Sequence, residues 1–186
     1  MTGHRKTLGS TISFESSFFQ VLTDKVSLPD GSVRDYYTVK HPGAVAVVPV
    51  DEEGRILMVR QHRQAVDDNL LELPAGKLDP GEDPWVCARR ELMEETGFAC
   101  ERLELLTSYY TSPGFTDERV HVFVGWDPQS VEEPPGSDGG EPLSIEWLGG
   151  DEALPAIDDG RIVDGKTIVG IALLKLREHA EKHEID

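Results

Sequence analysis

Cysteine is scarce: the 186 residues hold two, Cys87 and Cys100. Their spacing makes no metal site, and both read as core thiols of a reducing compartment. Positive charge is short as well. Lysine and arginine number 18 against 35 acidic residues, a formal net charge of −17, which argues against nucleic acid or an anionic membrane as a partner. No apolar run reaches the length of a membrane-spanning helix. The opening MTGHRKTLGS lacks the apolar core of a secretory signal, so a cytoplasmic location is expected. There is no internal repeat, no dinucleotide-binding GxGxxG and no Ser/His/Asp set around a nucleophile elbow. His62 and His121 are single histidines, a pattern more typical of surface or core than of a ligand, and His4, His41, His179 and His183 form no constellation.

What is present suits one domain with a small appendage, and 38% apolar residues suffice for a core. Residues 1–11 are polar and read as loose. Phe14–Leu28 and Val33–Lys40, separated by the turn signal Pro29-Asp30-Gly31-Ser32, predict an antiparallel hairpin. A lone hairpin is marginal in water, so it must pack on its own domain or on a second copy. We place a boundary near His41-Pro42-Gly43, with a hairpin region over 1–41 and the main domain over 42–186. Ala44–Val50 is a nearly unbroken apolar run, the mark of a strand buried on both faces. Strands are further expected over 55–60, 71–73, 103–110, 120–126 and 143–148, with QHRQAVDDN as a loop. Helical stretches are expected over 152–157 and 167–179. The loop at 127–142 is rich in proline, glycine and acid. Strands around one central helix, closed by a C-terminal helix, predict an α/β sandwich with a mixed sheet.

The most informative stretch is GKLDPGEDPWVCARRELMEETGF, Gly76 to Phe98. Asp83 reads as a helix cap, Pro84 as the first helical position and Gly97 as the stop. Trp85, Ala88 and Leu92 repeat at helical spacing and predict a buried face. Glu91, Glu94 and Glu95 share another face, where three carboxylates repel one another. Such a run is either a solvated acidic face or a ligand set for a hard divalent cation, for which Mg²⁺ or Mn²⁺ is the usual choice.

Gly76, Glu82, Arg90-Glu91, Leu92, Glu94-Glu95, Gly97 and Phe98 stand at the spacing of a complete Nudix box, so the chain resembles a Nudix hydrolase. The likeness extends further: Ser112-Pro113-Gly114-Phe115-Thr116-Asp117-Glu118, His41 to Val47, Arg60-Gln61-His62-Arg63 and Gly165-Lys166-Thr167 resemble elements of the ADP-ribose diphosphatase subgroup. The resemblance implies a Nudix α/β/α sandwich with a mixed sheet, preceded by an antiparallel hairpin sheet. It implies divalent-metal-dependent hydrolysis of ADP-ribose to AMP and ribose 5-phosphate. The alternatives are another nucleoside diphosphate sugar such as GDP-mannose, or a non-catalytic nucleotide-sensing module. By analogy, the Ala75 carbonyl with Glu91, Glu95 and Glu94 would bind metal. Glu82, Arg90, Gly76 and Gly97 would be structural. Arg63 would touch diphosphate or ribose, or be a plain surface arginine, and Pro113, Gly114, Phe115 and Glu118 would lie against substrate. Relatives exchange the N-terminal hairpin between two subunits, so a homodimer is expected.

Two departures from the subgroup's pattern stand out. Gly139 falls where relatives commonly place a glutamate that serves as general base. Glu141 is then the best base or third metal ligand, with Glu132, Glu133 and Asp138 as alternatives. Tyr36-Tyr37 replaces an Arg-Glu pair that grips the substrate's base. These tyrosines would stack on adenine or serve as ordinary strand aromatics.

Overall fold

The computed structural model describes residues 4–132 and 143–183. The chain divides into two compact units, Met1–Gly43 with Tyr110–Arg119, and Ala44–Tyr109 with Val120–Asp186. The loop acids Glu133, Asp138 and Glu141, and Gly139 with them, lie outside the described residues.

The first unit is a three-stranded antiparallel sheet, β1 (Lys6–Glu15), β2 (Gln20–Ser27) and β3 (Val33–Lys40), in the order β1-β2-β3. The hairpin β2–β3 turns where expected, with Asp30 accepting the Ser32 N–H at 2.9 Å. Strand β1 corrects the expectation of a loose start. Its KTLGSTISFE sequence contains the β-branched Thr7, Thr11 and Ile12 among small residues, and it pairs along β2 with two register shifts. Apolar burial does not drive it, since all ten residues are exposed; ladder hydrogen bonds and pairs such as Ser10–Asp24 and Ser13–Thr23 hold it instead.

The second unit is built on a sheet ordered β12-β5-β4-β10-β9, with β6 on β5 and β7 on β4. Its strands are β4 (Ala44–Val50), β5 (Ile56–Arg63), β6 (Asp68–Glu72), β7 (Ala75–Lys77), β9 (Arg102–Tyr110), β10 (Arg119–Trp126) and β12 (Ser144–Leu148). Strands β8 (Phe98–Ala99) and β11 (Gln129–Ser130) form a separate short ladder. Central β4 pairs in parallel with β10 and antiparallel with β5 and β7, so the sheet is mixed as expected. Strand β4 feeds two cores, Ala46, Val48 and Val50 on one face and Val45 and Val47 on the other. Its unbroken apolar run follows from that double burial. QHRQAVDDN is mostly strand rather than loop: Gln61–Arg63 end β5 and pair with Asp68–Leu70.

Helix α1 (Pro84–Thr96) covers the second face, burying Cys87, Ala88 and Leu92. Asp83 caps it by accepting the Trp85 N–H at 2.8 Å, and Gly97 ends it at φ +71°, a conformation that favours glycine. Trp85 is not part of the buried face. It stays exposed under the Arg89 guanidinium, 4.9 Å from its ring centroid, and Cys87 takes its place in the core. Helices α2 (Ala153–Asp158) and α3 (Gly165–His183) cover the first face through Ala153, Ala156, Ile171 and Leu174. In α3 Thr167 and Gly170 are buried beside Ile171 and Leu174, whereas Leu176 is exposed. Among the described residues no helix is long and apolar enough to cross a membrane.

Candidate active site

Strand β7 runs along β4 and carries the backbone of Ala75 and Gly76 to the start of the loop that leads into α1. Burial of Leu71, Leu73 and the α1 core residues fixes both partners. The acidic face of α1 then meets this backbone. Glu95 accepts the Ala75 N–H at 2.9 Å. Glu91 lies closer still: a Cβ built on Gly76 would stand 1.8 Å from Glu91 Cδ. Only glycine leaves room for that carboxylate.

Arg90 organises the rest. Its Nε and Nη2 donate to the two oxygens of Glu82, each at 3.0 Å, the fork geometry that favours arginine over lysine. Its Nη1 donates to Glu91 at 2.8 Å and Glu94 at 3.1 Å, and Nη2 also reaches the Lys77 carbonyl at 3.2 Å. One guanidinium thus ties the loop to three carboxylates. The Arg90 bond holds the Glu82 carboxyl down at about 2. Burial pushes Glu91 up, against the pull of Arg90. Burial also pushes Glu95 up to about 7, with the Ala75 N–H lowering it and the neighbouring Glu91 charge raising it further.

The arginine leaves part of this negative charge unbalanced, since Glu95 receives no bond from it. Among the described residues no three acidic, histidine or cysteine side chains converge into a finished cage. The chemistry of the donors nevertheless fits a hard divalent cation. Two desolvated carboxylates lie against one loop, one of them in a space that a Cβ would fill, and all the donors are oxygen.

Behind Glu95 stands a second cluster. Glu72, 1% exposed, accepts Arg63 Nε at 2.7 Å and Nη2 at 2.5 Å, and also pairs with Lys166. The charges of Arg63 and Lys166 both act on Glu95. Arg63 is therefore neither a loop residue nor a free surface arginine. Sequence reasoning missed Glu72, because its partners come from distant segments.

The remaining site residues lie in the first unit. Ser112 accepts the N–H groups of Phe115 and Thr116 at 3.1 and 3.0 Å, coiling SPGF into a tight turn. That turn is bound to β3, where Val39 N–H donates to the Phe115 carbonyl at 2.7 Å and Asp117 N–H to the Val39 carbonyl at 3.2 Å. Asp117 also accepts the His41 N–H and pairs with Lys40. Glu118 accepts the Thr111 hydroxyl at 2.8 Å. The result is an open concavity of about 310 Å³ lined by Pro113, Gly114, Phe115, Thr38, Tyr110 and Asp117 among others. Thr38 and Tyr110 were not legible as site residues. Tyr36 and Tyr37 do not line the concavity; Tyr36 lies under Arg5, 5.5 Å from its ring, and Tyr37 is exposed.

Oxygen donors gathered where a glycine leaves room, on a sandwich of this topology, fit a hydrolase that uses a divalent cation. The chain matches the NUDIX domain model over residues 40–168 and belongs to that family. It is 42% identical over 179 residues to a methanol dehydrogenase activator of Bacillus methanolicus, covering 96% of each chain. It is 39% identical over 173 residues to an ADP-ribose pyrophosphatase of Bacillus subtilis (strain 168), covering 93% of this chain and 94% of that one. A crystal structure of an ADP compounds hydrolase superimposes with a TM-score of 0.85 at 20% identity, over 97% of both chains.

Proposed function

We propose that the chain hydrolyses the diphosphate of ADP-ribose, giving AMP and ribose 5-phosphate. The single observation that carries the reading is the Glu91 carboxylate in the space that Gly76 leaves open, beside Glu95 on the Ala75 N–H. Similarity over nearly the full chain to an ADP-ribose pyrophosphatase supports the choice of substrate. Glu91, Glu95, Glu94 and the Ala75 carbonyl hold Mg²⁺ or Mn²⁺. When bound, the cation neutralises diphosphate charge and favours attack by water. Arg90 keeps Glu91 and Glu94 oriented, and Glu82 holds Arg90. Arg63 contacts the diphosphate. Pro113, Gly114, Phe115 and Glu118 lie against the substrate; Tyr36 and Tyr37, outside that concavity, reach adenine only if Tyr36 leaves Arg5 and the exposed Tyr37 turns toward it. Glu141 is the general base.

The protein acts in the cytoplasm as a homodimer built through the N-terminal region, 1–41, on the domain over 42–186. Leu8, Ile12, Phe14 and Tyr37 are each more than half exposed on that sheet, which gives a second copy an apolar surface to cover. A second reading is favoured by the 42% identity to a methanol dehydrogenase activator: the chain activates a dehydrogenase.

The test is phosphatase-coupled phosphate release from ADP-ribose, GDP-mannose, UDP-glucose, NADH and diadenosine polyphosphates, with Mg²⁺, Mn²⁺ or chelator. ADP-ribose is expected to lead in kcat/KM, and chelator to abolish turnover. A different leading compound overturns the substrate; turnover in chelator overturns the cation.

A further inference from the structure

The cluster around Glu72 does more than the fold requires. Glu72 ends β6, two residues before the Pro74-Ala75-Gly76 backbone, and is nearly inaccessible. A buried carboxylate with cationic partners is seldom more stable than apolar residues of similar volume. Here it takes up two cations at once, Arg63 through a bidentate fork and Lys166 through Oε2. Lys166 also meets Asp164 at 3.1 Å, so the group is balanced, two acids against two bases.

The fork is used asymmetrically. Arg63 spends Nε and Nη2 on Glu72, and among the described residues Nη1 has no hydrogen-bond partner. The Arg63 side chain keeps 38% of its surface exposed while Glu72 keeps 1%. An arginine gripped along one edge cannot rotate freely, and its other edge is presented at a fixed angle. Planar donors fixed in this way suit an oxyanion such as a phosphate.

We propose that Glu72 is a positioning residue that locks the Arg63 guanidinium so that its unused Nη1 edge meets a phosphate oxygen of the substrate. The inference rests on the diphosphate reading above. Glu72 touches no substrate; it acts through Arg63. Lys166 closes the second Glu72 oxygen and clamps α3, while Thr167 secures the residue after β6 by accepting the Leu73 N–H at 2.9 Å.

The experiment is a double-mutant cycle between Glu72→Gln and Arg63→Ala, read as kcat, KM and the affinity of chelator-treated protein for ADP-ribose by calorimetry. Glutamine keeps the volume of Glu72 but turns N–H donors toward Arg63 and Lys166. Each single change is expected to lower kcat/KM and to weaken ADP-ribose binding by about 10- to 100-fold, as supporting residues around reactive groups commonly do. The double variant is expected to lose no more than Arg63→Ala alone, and Glu72→Asp to fall between Glu72→Gln and wild type. Losses that multiply, or Glu72→Gln kinetics equal to wild type while Arg63→Ala is impaired, overturn the proposal. Thermal melts of the same variants separate clamp from positioning: Glu72→Gln and Arg63→Ala are each expected to stay folded at the assay temperature, and a Glu72→Gln kinetic loss that disappears on cooling well below its Tm assigns the cluster to the fold and overturns the proposal. If wild type turns over a different nucleoside diphosphate, the substrate reading fails separately, and the same cycle on that compound decides the role of Glu72.

Discussion

The carboxylate of Glu91 occupies the position that a side chain at residue 76 would need: a Cβ on Gly76 would lie 2.0 and 2.2 Å from its two oxygens. The requirement at Gly76 is therefore space rather than backbone freedom. Gly76→Ala should expel Glu91 from the loop while leaving the core of α1 in place. We expect kcat to fall by roughly 10²-fold or more, since misplacement on the ångström scale is enough for such a loss. Tm should change by only a few degrees. Steady-state kinetics with a thermal melt checks it; an active Gly76→Ala protein would remove Glu91 from the reaction.

Arg90 makes a different kind of demand. It binds Glu82 with two nitrogens while reaching Glu91, Glu94 and the Lys77 carbonyl. Lysine keeps the charge but offers a single nitrogen, which cannot span these partners. Arg90→Lys should cost about 1–3 kcal/mol, a Tm drop of roughly 3–10 °C for a chain of this size, together with a loss of kcat. A melt that matches wild type would show that the fork contributes little.

Thr167, 0% exposed, joins α3 to the short link between β6 and β7. Its hydroxyl donates to Asp164 at 2.6 Å and accepts the Leu73 N–H at 2.9 Å. Thr167→Val is nearly isosteric yet strands a buried N–H, at a cost of about 1–3 kcal/mol. Thr167→Ser keeps the hydroxyl and should recover much of the loss. Equal melts for the valine and serine variants would refute the bond's importance.

These three residues also show where the sequence was readable. Strands β3 and β4 and helix α1 carry local signals: alternating or unbroken apolar residues, an Asp-Pro start and a glycine stop. Each is decided by neighbours within one element. Strand β1 was not legible because it buries nothing and is held by pairing with β2. Gln61–Arg63 read as loop because their polar side chains hide a ladder with β6. Trp85 fits the helical period of the core, but Cys87 is buried in its stead. The carboxylates of α1 were visible as a spacing, and Arg90 and Glu82 as structural residues, though not which atoms they join. The Glu72 cluster was not, since Arg63, Glu72 and Lys166 come from β5, β6 and α3 and no local pattern links them.

The raised carboxyls of α1 give a pH dependence whose sign distinguishes them from the rest of the acidic surface. In metal-free protein, burial holds Glu95 up at about 7 against an ordinary value of 4.5, and Glu91 is raised by the same cause. A carboxyl with a raised folded value holds its proton better folded than unfolded. Its contribution to stability is complete below the unfolded value and is lost as pH rises through the folded one. In chelator, Tm should therefore fall between pH 5 and 8, by an amount equivalent to at most about 3 kcal/mol. Glu82, lowered to about 2 by Arg90, acts with the opposite sign, but its contribution is lost only as pH falls below its unfolded value, so the two windows stay apart. Mg²⁺ or Mn²⁺ requires the ionised carboxylates, and so should raise Tm more at pH 8 than at pH 6. Glu95→Gln removes the titrating group and should flatten the slope in chelator and shrink the rise with cation. Thermal melts of both proteins, with and without cation, across that pH range make the comparison. A wild-type Tm that stays level or climbs from pH 5 to 8 in chelator would mean that Glu95 is solvated, and the desolvated cation site on β7 would have to be abandoned.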